Sequence, residues 1–273
     1  MPVEWMLPAA TEAAKELIKH RDVAISTWDA AVAKFLGPKS QIAFVGPEGI
    51  GKTVLLDQLT GRVMAPGYER PAKSRKSEHG YAKSLGNRLA LVVAPGAGGP
   101  RFDTYAKIFD AKKPVDGVVF VVGSGFVTLR NPDEERVNIG RGVDTLEKWR
   151  ALHKAAELEY LEEILGYMRA TKRKSRKPSW LLVALTKIDL FYTELAEARS
   201  YYSPHGNSRF SKLLNEFQAN VGRDNIEWDA VPVCSRLDSF MWNGKVVASQ
   251  LDTNARDFFT AQTLKRMGEL CQA

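Results

Sequence analysis

A glycine-rich segment that ends in a lysine and a hydroxyl offers the clearest chemistry in the sequence. Residues 46–53, here called the P-loop, read GPEGIGKT and match G-x-x-x-x-G-K-[ST] at every fixed position. Such a loop turns backbone N–H groups inward around phosphate oxygens, while the lysine reaches the β- and γ-phosphates and the hydroxyl binds Mg²⁺. The pattern predicts a metal ligand at Thr53 and phosphate contacts at Gly46, Glu48, Gly49, Ile50, Gly51, Lys52 and Thr53.

A second motif, TKID at residues 186–189, follows an apolar run and resembles the [NT]-K-x-D base-recognition motif of GTPases. The resemblance implies that Asp189 accepts hydrogen bonds from N1–H and the 2-amino group of guanine. Adenine has no such donor pair and would leave the carboxylate unpaired, which gives discrimination. Ser235 and Arg236 follow the next apolar run and resemble the S-A-K-type loop that contacts the guanine oxygen. The implied guanine-binding residues are Thr186, Lys187, Asp189, Ser235 and Arg236.

The elements that must position these motifs alternate between short apolar runs and helical patterns. Strand-like runs at 41–45, 116–122, 179–185 and 228–234 are separated by helical stretches. This alternation predicts an α/β fold with a mostly parallel sheet and helices on both faces. The ligand crevice is then expected at the carboxyl ends of the strands, where both motifs begin.

Several local signals refine this frame. Gly86-Asn87 between strand-like runs predicts the turn of an antiparallel edge hairpin over 79–93, and Asn243-Gly244 predicts a second hairpin. Asp144 with Glu147 resembles a capping box at the start of a long helix. The segment between residue 122 and about residue 142 is expected to be a loop.

The order of these motifs resembles a Ras-like P-loop GTPase, and residues 40–273 carry the resemblance. The Arf-like and signal-recognition-particle-receptor-β branch and bacterial P-loop proteins of secretion and defence systems are the relatives considered. The implied organisation is an N-terminal helical extension over 1–38 and a G domain over 39–273. This G domain would contain a basic switch-like loop at 61–88 and a hairpin insert at 236–248. The implied cofactors are GTP or GDP and Mg²⁺, with Gly96 as a further phosphate contact.

The sequence departs from the family where hydrolysis would be organised. The family's Asp-x-x-Gly aligns with residues 93–96, so that Val93 replaces the metal-binding aspartate, and Ala97 occupies the position where a water-orienting glutamine often lies. No threonine lies between Thr60 and Asp103 to act as the switch threonine. Since phosphoryl transfer needs charge stabilisation and a placed water, slow or partner-dependent hydrolysis is expected. Candidates for compensating catalytic groups are His79 and Arg75, with Arg70 and Glu78 as further options.

Composition excludes several other classes. The chain has 273 residues, 44% hydrophobic and 26% charged, which argues against disorder. Two cysteines are too few for a disulfide framework and fit a reducing compartment, so a cytoplasmic location is expected. No apolar run approaches the about 18 residues of a membrane span, and the acidic N-terminus does not resemble a secretory signal.

The net charge of +7 is concentrated at 70–88 and 169–177. These basic runs are expected either to be solvated surface or to dock an acidic partner or an anionic membrane surface, and nucleic acid is not favoured. Protein partners are expected through the 61–88 loop, an N-terminal helix at 11–36, or the run 169–177. Two alternatives to a GTP-binding switch remain open, namely a degenerate scaffold subunit of a larger complex and an ATP-binding P-loop protein.

Overall fold

The computed structural model describes residues 40–64, 67–69, 77–95, 99–110, 112, 114–129, 131–172, 174–175 and 177–273. The predicted N-terminal helix at 11–36 lies outside these residues, as do Arg70, Arg75, Gly96 and Ala97. The proposed boundary at residue 38 therefore stays a prediction.

A six-stranded sheet forms the centre of the domain. Its order is β2-β3-β1-β4-β5-β6, with β2 antiparallel to β3 and every other neighbouring pair parallel. Strands β4 and β5 are buried along their whole length, as their apolar runs predict for strands covered on both faces. The strands are β1 Ser40–Val45, β2 Glu78–Ser84, β3 Asn87–Val93, β4 Gly117–Val122, β5 Trp180–Leu185 and β6 Glu227–Pro232.

Helices surround this sheet, and a small separate hairpin lies between β6 and the last helix. The predicted mostly parallel α/β fold with one antiparallel edge hairpin is confirmed. The hairpin consists of β7 Phe240–Trp242 and β8 Lys245–Val247, joined at Asn243-Gly244 as predicted. The helices are α1 Lys52–Leu59, α2 Gly99–Ile108, α3 Pro132–Gly140, α4 Leu146–Lys172, α5 Leu195–Tyr202, α6 Arg209–Val221 and α7 Thr253–Leu270.

The edge hairpin turns one residue earlier than expected. Leu85 and Gly86 form the turn with φ values of 48° and 76°, and Ser84 pairs with Asn87. The prediction of Gly86-Asn87 as the turn is therefore wrong. A contact distant in sequence accompanies the observed register, because the Ser84 hydroxyl donates to the Leu264 carbonyl oxygen at 2.6 Å. Packing on α7 thus stabilises a turn with leucine at positive φ, which local preference alone disfavours.

Two further local predictions need correction. The expected loop after β4 contains helix α3, whose Asn131 side chain caps it by accepting from the Asp133 amide at 3.0 Å. The signal was present, since asparagine followed by proline and three acidic residues is a helix start. Helix α4 is capped by Thr145, which accepts from the Lys148 amide at 3.2 Å, while Asp144 forms an ion pair with the Lys148 ammonium.

Candidate functional site

The P-loop connects β1 to α1 at the carboxyl edge of the sheet. Gly46 has φ of 139°, and a Cβ there would lie 2.5 Å from the Val121 carbonyl oxygen, so a larger residue would collide with β4. Gly51 has φ of 106° and a Cβ there would meet nothing, which leaves the entrance of the helix open. No side chain among the described residues caps α1, and its first turn has no acidic residue. Its amide groups can therefore receive an anion.

The two reactive side chains of the P-loop have different partners. Lys52 is buried, and its ammonium donates to the carbonyl oxygens of Gly46 and Pro47, both at 2.8 Å. Thr53 is also buried, and its hydroxyl donates to Oε1 of Glu78 at 3.0 Å. The Lys52 ammonium is therefore held against the backbone of its own loop, and the Thr53 hydroxyl points toward the first residue of β2.

The TKID motif contacts the P-loop directly, although more than 130 residues separate them in sequence. The Thr186 hydroxyl donates to the Ile50 carbonyl oxygen at 3.1 Å and lies 3.0 Å from that of Val122. Lys187 has φ of 57°, and its ammonium donates to the Gly49 carbonyl oxygen at 3.2 Å and to the Thr128 hydroxyl at 2.8 Å. These contacts fix the end of β5 against the phosphate loop.

Asp189 lies buried two residues after Lys187, in a short 3₁₀ turn that begins at Ile188. Burial raises the pKa of its carboxyl group, although the Cys234 thiol donates to Oδ1 at 3.5 Å and opposes this shift. Burial and the nearby Asp189 charge in turn raise the pKa of the Cys234 thiol well above its usual value. The thiol is therefore a neutral donor that favours an ionised Asp189.

The other two predicted base-contact residues lie beside Asp189 along the same cavity. The buried Ser235 hydroxyl has no hydrogen-bond partner among the described residues, and a polar ligand atom could satisfy it. Arg236 is half-exposed and forms an ion pair with Asp238, with Nε 2.9 Å from Oδ1.

A cavity of about 310 Å³ joins the P-loop, the TKID motif and residues 235–236. This volume lies at the lower end of the range typical of small-molecule sites. The β7–β8 hairpin forms one wall, and its Trp242 stacks on Trp149 of α4 with ring centroids 3.9 Å apart. The Asn243 amide also donates to Oε1 of Glu135 in α3 at 2.9 Å. The hairpin insert is therefore attached to α3 and α4 and covers the base side of the cavity.

The buried carboxyl group of Glu157 holds the segment that follows β4. Glu157 of α4 accepts from the Gly123 and Gly125 amides at 2.9 and 3.3 Å and from the Tyr202 hydroxyl at 2.5 Å. Complete burial raises the pKa of Glu157, while these three donors lower it. The segment they hold continues to Thr128, whose amide donates to the Gly49 carbonyl oxygen at 3.2 Å.

The remaining residues that the sequence singled out do not come together at the P-loop in the described structure. Val93 is buried at the end of β3, so no carboxylate is present at the family's metal position. His79 is exposed and follows Glu78 on β2, so its side chain leaves the opposite face of the strand. Gly96 and Arg75 lie outside the described residues. Sequence reasoning missed Thr128, since nothing in its local pattern marks a contact with Lys187.

The basic run at 169–177 is partly engaged within the fold. The Lys172 ammonium donates to the Asn225 carbonyl oxygen at 2.5 Å, and partial burial lowers its pKa to about 8. The Lys177 ammonium pairs with Asp116, and the Arg169 guanidinium lies 5.5 Å from the centre of the Phe217 ring. These cations have structural contacts, and a docking role for the run stays a prediction.

Two features of the described residues bear on cofactors and membranes. No group of three or more His, Cys, Asp or Glu side chains is arranged there to hold a metal ion. A cation at Thr53 would therefore take most of its oxygen ligands from phosphate and water, which is the usual manner of Mg²⁺ binding. Among these same residues, no helix has both the length and the apolar character needed to cross a bilayer.

Comparison with known proteins gives one curated relative. A 103-residue segment is 33% identical to the GTPase Era of Deinococcus radiodurans, and the match covers 35% of this chain and 31% of that protein. The matched segment thus spans less than a third of the relative's length. No protein-family model matches the chain.

Two solved structures are similar at low identity. The cytosolic domain of the T. maritima FeoB iron transporter in a GDP form has a TM-score of 0.41 at 15% identity, covering 86% of this chain and 64% of that one. The mammalian SRP receptor has a TM-score of 0.42 at 18% identity, covering 71% and 91% respectively. Both scores are below 0.5, and the strand order of the sheet defines the fold.

Proposed function

Since the chain belongs to the P-loop GTPase superfamily, we propose that it binds GTP and GDP in the cavity between the P-loop and the TKID motif. The observation that carries this proposal is the contact between the two motifs. Lys187 reaches the Gly49 carbonyl oxygen and Thr186 reaches that of Ile50. A phosphate site and a base site are thereby held at a fixed separation, which a nucleotide requires and a bare glycine turn does not.

The proposed roles follow from the positions of the side chains. The P-loop amides and the α1 terminus receive the phosphates, and Lys52 exchanges its two carbonyl partners for phosphate oxygens. Asp189 accepts from the guanine edge, and Ser235 offers an unsatisfied hydroxyl beside it.

Magnesium would be held at Thr53. Its hydroxyl faces an acidic oxygen rather than an apolar wall, so the surroundings fit a hard cation. Bound there, Mg²⁺ supplies positive charge beside the phosphates. The residues of the chain do the remaining work, since the P-loop orients the phosphates and the TKID motif orients the base.

We propose further that GTP hydrolysis is slow unless a partner assists it. Val93 offers no carboxylate, and Ala97 has no group that could orient a water molecule. A partner could supply an arginine in trans, as phosphoryl transfer uses elsewhere. The segment 61–88 would report the nucleotide state to such a partner, because its residue Glu78 contacts Thr53 of the P-loop.

The test is isothermal titration of the purified protein with GDP, GTP and ATP, with and without Mg²⁺. We expect guanine nucleotides to bind more tightly than ATP, and Lys52→Ala to weaken them at least about 100-fold, roughly 2.7 kcal/mol. Lys154→Ala, which removes a partly buried cation stacked on Tyr201, is the matched control. Equal affinity for ATP would favour an ATP-binding P-loop protein, and no binding would favour a scaffold subunit.

A further inference from the structure

We propose that Glu78 supplies the carboxylate of the magnesium site, in place of the acidic side chain that position 93 lacks. The inference rests on the proposed nucleotide binding and assigns the metal chemistry of that same site. It begins from a side-chain contact of the Thr53 hydroxyl, which donates to Oε1 of Glu78 at 3.0 Å.

The sheet register explains how this replacement works. Glu78 is the first residue of β2 and lies directly opposite Val93, the last residue of β3, across the antiparallel pair. Directly opposed side chains project from the same face of a sheet, with Cβ atoms about 5 Å apart. A carboxylate on Glu78 therefore reaches the space that a carboxylate at position 93 would reach.

The oxygen spacing fits the metal. Mg²⁺ takes octahedral ligands at about 2.1 Å, so neighbouring ligand oxygens are about 3.0 Å apart. The Thr53 and Glu78 oxygens are 3.0 Å apart. Two oxygens at this spacing could both ligate one Mg²⁺, and phosphate and water oxygens would supply the remaining ligands.

Packing holds the two residues at this spacing. Gly80, two residues after Glu78, lies so close to α1 that a Cβ there would be 2.8 Å from Cγ2 of Thr60 and 3.0 Å from Cδ1 of Leu56. The strand and the helix that carry Glu78 and Thr53 are thus in direct contact. The glycine permits the close approach, and the alternation along β2 keeps Glu78 on the face toward α1.

A second carboxylate on α1 is already engaged. Asp57, one turn after Thr53 on α1, accepts from the Tyr68 hydroxyl at 3.0 Å and pairs with the Arg62 guanidinium at 3.4 Å. The Glu78 carboxylate, in contrast, is directed at the P-loop hydroxyl. Glu78 is therefore positioned to share a cation with Thr53.

The inference is tested by the release of a fluorescent GDP analogue from the full chain at increasing Mg²⁺ concentration. Compared are the wild type, Glu78→Gln and the control Glu69→Gln, which removes the same charge from an exposed position in the same segment. We expect Glu78→Gln to raise the Mg²⁺ concentration for half-maximal slowing at least about tenfold, as loss of a metal-supporting group typically does. Release in EDTA should be unchanged in all three proteins, which also shows that the variants are folded.

Each other outcome overturns the inference. The Mg²⁺ dependence could be unchanged in Glu78→Gln, or Mg²⁺ could have no effect on nucleotide release from the wild type. Either result would mean that Glu78 does not ligate the metal. Tighter nucleotide binding by Glu78→Gln in Mg²⁺ would mean that the carboxylate competes with phosphate. If the wild type binds no nucleotide even in EDTA, the proposed function itself fails, and the metal assignment falls with it.

Discussion

The two ends of the cavity differ in the hydrogen bonds that hold their side chains. At the base end, the Thr186 hydroxyl and the Lys187 ammonium donate to the P-loop carbonyl oxygens of Ile50 and Gly49, and Lys187 also donates to the Thr128 hydroxyl beside the loop. At the metal end, a single hydrogen bond joins Thr53 to Glu78. The family's carboxylate is absent there, because Val93 fills its position.

This difference matters because nucleotide binding and nucleotide hydrolysis need different groups. Binding needs a rigid base site and a phosphate cradle, and the base end has the buried network for that purpose. Turnover needs charge placed beside the γ-phosphate. In our proposal the metal end depends on Glu78, the first residue of the edge strand β2, which lies within the 61–88 segment. This end is the place where an external partner could act.

The largest expected effect is on the support of the base end. Glu157→Ala should destabilise the fold by about 4 kcal/mol, because it leaves the Gly123 and Gly125 amides and the Tyr202 hydroxyl buried without an acceptor. Urea unfolding monitored by circular dichroism measures this loss. Glu157→Gln is the matched control, since it keeps an acceptor of the same size. A small effect of Glu157→Ala would show that the base end does not depend on this network.

Asp189→Asn tests the base end itself. The amide presents a donor where guanine also presents donors, so GDP affinity should fall about 100-fold, roughly 2.7 kcal/mol, with ATP affinity unchanged. Competition titration with GDP and ATP gives both values. The conservative Asp238→Asn variant changes the half-exposed partner of Arg236 and should leave GDP affinity within about threefold. Equal losses for GDP and ATP would remove Asp189 from base recognition.

The convergence of the two motifs was predictable because parallel strands bring their carboxyl ends to one edge. Strand β1 delivers Gly46 there, and β5 delivers Thr186, whatever the details of the loops. The apolar runs that form these strands are short, uninterrupted and bounded by turn residues. Such patterns leave little freedom in the choice of partner strands.

The Thr53–Glu78 contact was not predictable, because it depends on a register. A turn at Gly86-Asn87 would pair Leu85 with Arg88 and would place Glu78 opposite Pro95. The observed turn at Leu85-Gly86 places Glu78 opposite Val93. A shift of one residue in the turn thus moves the strand pairing by two, and the contact of Ser84 with α7 that accompanies the shift is distant in sequence.

The smallest expected effect separates the two ends by their response to acid. His153 lies beneath the base end, with its ring centroid 4.0 Å from that of Trp149. Burial, with a smaller contribution from the Lys187 charge, lowers its pKa from 6.5 to about 4. The unfolded chain therefore binds this proton more tightly than the folded chain does. The contribution of His153 to the folding free energy is fully present above pH 6.5 and is lost as the pH falls toward 4.

His153→Gln removes this titration and keeps a neutral polar side chain. Between pH 7 and pH 4.5, the wild type should lose about 2 kcal/mol more of its unfolding free energy than the variant does, which is less than the full shift because the ring keeps some exposure. Urea titrations at each pH measure the difference, and changes common to both proteins, such as the titration of Glu157, cancel. The metal end has no buried histidine among the described residues, so the Thr53→Val variant should follow the wild-type curve in parallel. Parallel curves for the wild type and His153→Gln would instead show that acid sensitivity does not arise at the base end.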